Sequence, residues 1–174
     1  MSDPRYPIGK FTADDAVTRE KRATWIGQIA DAPRHVRAAV AGFTDAQLDT
    51  PYRDGGWTVR QLVHHLADSH INAYCRFRLA LTEDTPMVKT YEEGDWAKLP
   101  DAMTAPVDLS LGLLDGLHTR WALLLRALTP AQFDRAVQHP QWGAMPITWL
   151  LQMYAWHGRH HAAHITTLRQ QRGW

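Results

Sequence analysis

Thr58-Val59-Arg60-Gln61-Leu62-Val63-His64-His65-Leu66-Ala67-Asp68-Ser69-His70 opens a segment that runs to about Leu81 with neither proline nor glycine. Thr58 is placed to cap it, and Gln61 three residues on can bond back, the reciprocal pattern of a capping box. Three more segments carry a helical period. Residues 14–43 form the first; Thr12 and Asp15 show capping-box spacing, and Pro33 is expected to break this helix in two. Residues 108–128 place Leu113, Leu117, Trp121, Leu124 and Leu128 on one stripe. The last segment, residues 148–171, stops short of Gly173. No segment alternates like a half-buried strand. The expectation is an all-α four-helix bundle, one domain over residues 1–174.

Between the second and third helices lie residues 84–107, with Pro86, Pro100, Pro106 and several acids. A connection of that length in a compact domain covers a site or crosses the bundle, so that successive helices run parallel. Residues 43–49 and 128–134 also echo one another: each follows a helix and carries Thr-x-x-Gln. Chance recurrence of a capping box and a pseudo-twofold duplication both fit.

Composition narrows the function classes. The 174 residues are 45% hydrophobic and 21% charged, and a domain of this length hides roughly 70% of its unfolded surface, enough to fold without staples. Cys75 is the lone cysteine, which excludes a disulfide framework and is read as a small core residue. With 19 basic against 18 acidic residues the net charge is +1, and no basic stripe interleaves with aromatics, so nucleic acid is not an expected partner. No apolar run spans a membrane, and the N-terminus lacks the apolar core of a secretory signal. A cytoplasmic protein acting on a small molecule is expected.

Ten histidines and eight tryptophans stand out. In the fourth helix, Ile147, Leu150, Leu151, Tyr154, Ile165 and Leu168 define an apolar arc containing His157 and His161, one turn apart. Two inward imidazoles at i and i+4 reach one ion. His160 falls outside the arc and His164 at its edge. The third ligand should come from the second helix, where phase leaves His64 and His70 open and turns His65 to solvent with Asp68 and Asn72. His35, His118 and His139 are read as solvent or cap residues. Trp57 and Trp156 adjoin the ligand segments as possible pocket walls.

Gly55-Gly56-Trp57-Thr58 through His70, followed by Arg76-Phe77 and Leu81-Thr82-Glu83, resembles the YfiT-type branch of the DinB-like superfamily. So do Tyr6-Pro7-Ile8-Gly9, Thr50-Pro51-Tyr52-Arg53-Asp54, and Tyr154-Ala155-Trp156-His157 with His160-His161 and Ala163-His164-Ile165. The likeness runs nearly end to end. It implies an up-down-down-up bundle, a homodimer, and one divalent metal held by His64, His157 and His161. It also implies either hydrolysis or bacillithiol S-transfer, since relatives of this branch are described both ways.

Three neutral imidazoles leave coordination positions open, as in catalytic sites, and zinc and nickel both suit them. Such an ion activates water or ionises a thiol. No HExxH motif occurs, and no acid follows Asp134. A carboxylate helper must therefore come from Asp68 or from Glu92, Glu93 and Asp95 in the crossover. A thiolate needs no base once ionised, so transfer from a low-molecular-weight thiol to an electrophile is the favoured expectation. Hydrolysis is the alternative, and a non-catalytic metal staple the third reading. Tyr154 (a proton donor or ligand orienter), Arg60 (a partner for an anionic substrate) and Asp68 are the weak catalytic candidates. His70 and His164 are candidates for partners that act through a ligand.

Overall fold

Pro33 lies inside one continuous helix. In the computed structural model, which describes residues 3–174, α1 spans Arg19–Val40 and runs straight through it. Proline removes the N–H that residue 33 would donate to the carbonyl of Ile29 one turn back. That carbonyl is instead met by His118 Nδ1 at 2.5 Å. The break expected from sequence is averted because the freed acceptor has another donor. The helix also starts later than expected, with Thr18 rather than Thr12 as its cap, its hydroxyl accepting from the Lys21 amide.

The other elements follow in order. A one-turn α2 (Asp45–Leu48) precedes α3 (Val59–Thr82), and the crossover contains two short helices, α4 (Glu93–Trp96) and α5 (Pro100–Thr104). α6 covers Val107–Ala127. A 3-10 turn over Pro130–Asp134 leads into β1 (Ala136–His139) and β2 (Gly143–Pro146), then α7 (Ile147–Arg172), which ends on Gly173 at φ 67°. Thr58–Gln61 forms the reciprocal capping box read from the sequence. The echoing segments both form one too, Thr44–Gln47 ahead of α2 and Thr129–Gln132 ahead of the 3-10 turn. The two strands were not expected. They pair antiparallel over four residues each, with Val137 opposite buried Met145, too short a stretch to show alternation.

The side-chain contacts fix the topology. α3 and α6 run parallel, since His64 meets Ser110, His70 meets His118 and Phe77 meets Trp121. α1 and α7 run parallel as well, because Ala32 faces Gly158 and the Ala39 carbonyl takes Arg169. α3 and α7 are antiparallel, with His65 beside His161 and Arg76 beside Tyr154. The bundle is thus up-down-down-up, and the crossover of α4 and α5 permits the parallel step.

Two apolar clusters fill it. One gathers Ile29, Phe77, Trp121, Leu125 and Leu151, and the other Val36, Leu62, Leu66, Leu111 and Ile165. All four long helices pass from one cluster to the other at the same level, and at that level the interior is histidine.

Candidate metal centre

α3 brings His65 to the pair supplied by α7. One ligating nitrogen from each of His65, His157 and His161 lies within 4.8 Å of the others, and the Nε2 atoms of His157 and His161 stand 3.2 Å apart. The His65 ring lies 5.4 Å from that of His157 and 5.0 Å from that of His161, and Trp57 backs it at 4.7 Å. His157 and His161 are therefore together, as helical phase required.

His64 is not with them. Its ring turns to the start of α6, where Nε2 donates to the Ala105 carbonyl at 3.1 Å and Nδ1 accepts from the Ser110 hydroxyl at 2.7 Å. Both nitrogens are spent on tying α3 to α6. The side chain beside the pair is thus that of His65, buried rather than in solvent, and not that of His64 as expected. The physical reason lies in the surroundings of α3, whose residues from Val59 to Ala67 are all buried. A helix enclosed on every side has no apolar face against which to set the phase.

Several other readings change. His70 is 1% exposed, with Nδ1 at 2.8 Å from His118 Nε2 and Nε2 at 3.0 Å from His157 Nδ1. His118 is fully interior rather than a solvent or cap residue, and His139 is buried against Trp142. His160, expected outside the inward arc, is buried and stacked on Trp156 at 4.2 Å. It forms a second group with His161 and His164. His35 is exposed, as read. Cys75 is also exposed, against the core reading. One helical turn either way it shares the outer face of α3 with exposed Ile71 and Arg78.

Arg60, read as a partner for an anionic substrate, is held by groups of its own chain. It is buried and fully engaged, donating to Asp49 at 2.7 Å, Asp45 at 2.8 Å and the Ala105 carbonyl at 3.0 Å, so it anchors α2 and the crossover to α3. Asp68 is half-buried, belongs to neither histidine group, and has its carboxyl raised first by desolvation and then by Asp101. Tyr154 is buried with its ring 5.9 Å from that of His157, and its hydroxyl accepts from Arg76 at 3.3 Å. Burial raises its pKa, so it stays a neutral phenol.

Burial also decides the charge of the histidines. Desolvation pushes His65 and His160 down to about 4, and His70, His157 and His161 well below the ordinary value. Neutral imidazole is the form that binds metal. Beside His157 opens a cavity of about 740 Å³, lined among others by Ser69, Arg76, Glu93, His139 and Tyr154, within the range of small-molecule sites. Glu93, read from the sequence as a carboxylate helper in the crossover, lines this cavity; Arg76 and His139 were not singled out, and nothing in their spacing signalled that the hairpin folds over the same opening.

Comparison with known proteins agrees with this architecture. Residues 28–165 match the DinB superfamily. A protein of Bacillus mycoides strain KBAB4, named a putative metal-dependent hydrolase, is 51% identical over 174 residues, covering all of both chains. A Bacillus cereus strain B4264 protein of the same description is equally similar, 51% over 174 residues and the whole of both chains. The solved structure of YfiT from Bacillus subtilis, described as a probable metal-dependent hydrolase with an unusual four-helix bundle topology, superposes with a TM-score of 0.96. It shares 48% identity over 98% of each chain. With its parallel central step, its histidine layer and this end-to-end likeness, the chain belongs to the DinB superfamily.

Proposed function

We propose that the protein holds one divalent ion between His65, His157 and His161 and uses it to activate a low-molecular-weight thiol for transfer to an electrophilic small molecule. The observation that carries the metal is the separation of the two α7 nitrogens, 3.2 Å. Two imidazoles on one tetrahedral ion, each about 2.0–2.1 Å from it, stand about 3.3 Å apart. The donor set fits zinc or nickel, and the names of the relatives point to a metal as well. Such an ion supplies Lewis acidity that ionises a coordinated thiol and brings coordinated water to a pKa of about 7.

The chain's own residues do the rest. All three ligands are neutral, so the site keeps its full positive charge and favours an anionic nucleophile. Arg76 offers a cation to acidic groups of a thiol or its acceptor in the cavity beside His157. Tyr154, neutral and with its ring 5.9 Å from that of His157, would protonate the departing group as its bond to the acceptor breaks and the bond to sulfur forms, and recover the proton that the thiol gave up. Trp156 and Trp142 wall the opening and limit water.

Glu93 favours hydrolysis as a second reading. It reaches the same cavity from α4, and its carboxyl is raised by desolvation, against the pull of Arg76, which suits a proton carrier. Electrophile turnover with and without a panel of small thiols separates the two. Turnover only with thiol, unaffected by Glu93→Gln, supports transfer. Thiol-independent turnover that Glu93→Gln abolishes supports hydrolysis, and no turnover in either arm leaves the metal a staple.

A further inference from the structure

Beyond the ligands, the histidine layer is wired in one direction. His118 Nδ1 stands 2.5 Å from the Ile29 carbonyl, and a carbonyl only accepts, so that nitrogen carries the proton. In a neutral ring His118 Nε2 must then accept, which makes His70 Nδ1 the donor across 2.8 Å. His70 Nε2 accepts in turn from His157 Nδ1 across 3.0 Å. The His157 Nε2 lone pair is left facing the centre.

The other α7 ligand is served in the same way from a different side. His164 Nε2 donates to the Arg5 carbonyl at 3.2 Å, so His164 Nδ1 accepts from His161 Nδ1 at 3.4 Å. His161 Nε2 is again left with a lone pair. The short contact between the two Nε2 atoms is then two lone pairs face to face, an arrangement that a shared cation relieves.

We propose that His118, His70 and His164 are positioning residues: two imidazole chains, each ending on a backbone carbonyl, hold His157 and His161 as Nδ1–H tautomers with both Nε2 atoms aimed at one ion. This rests on the metal reading above and adds the source of its geometry. It also accounts for the second histidine group: with His161 Nδ1 protonated, His160, His161 and His164 do not hold a second metal. Pro33 belongs to the device, because without an N–H of its own it leaves the Ile29 carbonyl to His118.

Long-range proton–nitrogen correlation spectra of the metal-free protein at neutral pH read the tautomers directly. His157 and His161 should each show a protonated Nδ1 and a bare Nε2. His118→Leu, which removes the acceptor for His70, should disturb the His157 tautomer and lower metal affinity by about 10–100-fold. His118→Gln, which keeps an acceptor at that place, should largely restore both. His164→Leu and His164→Asn form the matching pair for His161. A protonated Nε2 on either ligand, or Leu variants that bind metal like the parent, overturns the wiring while leaving the metal site intact. Two equivalents of metal per chain would make His164 a ligand and overturn its arm. If the tautomers are as stated but the parent binds no metal, the wiring stands and the metal reading fails. Should His118→Leu not fold, the parent spectrum alone decides.

Discussion

Acid should unfold the metal-free protein through its own histidines. His65 and His160 are held at about 4 by burial in the folded chain, against about 6.5 when exposed. Above pH 7 both states are neutral and stability is flat. As pH falls below 6.5 the unfolded chain takes protons that the folded chain refuses, and stability drops until the folded pKa is reached. His65 alone loses about 2.5 pH units' worth, roughly 3.4 kcal/mol at 1.36 kcal/mol per unit, and His160, nearer to solvent, adds a smaller, screened share between pH 6.5 and 4. His70, His157 and His161 are lowered as well and act in the same sense. Asp68 and Glu93, both raised, oppose it, since the folded chain takes these protons before the unfolded chain does. A domain of this kind has about 5–15 kcal/mol in total, so unfolding is due well above pH 4. Urea midpoints of chelator-treated protein at pH 7.5, 6.5, 5.5 and 4.5 test it, and equal midpoints at 7.5 and 5.5 would refute the burial of neutral imidazole.

Metal analysis should find His65→Ala, His157→Ala and His161→Ala depleted, while His64→Ala keeps its metal but loses about 1–3 kcal/mol of stability by orphaning the Ser110 and Ala105 groups. Chelation should leave the far-ultraviolet dichroism intact while abolishing turnover, because two apolar clusters hold the helices independently of the centre; loss of helix would give the metal a structural role. Arg60→Met should lower the melting temperature without changing the Michaelis constant, since its partners are all structural. Gly158→Ala gains about 1 kcal/mol of helix propensity but sets a Cβ 3.0 Å from that of Ala32 and 3.6 Å from His70 Cε1. Overpacking of about 1–3 kcal/mol should win, read as net destabilisation in urea.

The bundle was legible because its signals are local. Thr58 and Gln61 cap α3 as their spacing requires, and a single arc on α7 turned His157 and His161 inward together. Pro33 misled because the rule that proline breaks helices assumes no other donor for the freed carbonyl, and that donor sits on α6, far away in sequence. Period turned His65 to solvent wrongly, because the buried half of α3 has neighbours all round. His118 looked solitary for the same reason: its partners lie on α1 and α3, and no window of sequence contains them.

The proline in α1 has a further consequence for anyone who would move this centre elsewhere. A regular helix spends each interior carbonyl on its own ladder, so an idealised four-helix scaffold offers the wiring nothing on which to end. Transplanting His65, His157 and His161 into such a scaffold would carry three imidazoles across and leave their orientation behind. The defect in the helix is a working part, and a faithful copy of the site has to include the flaw.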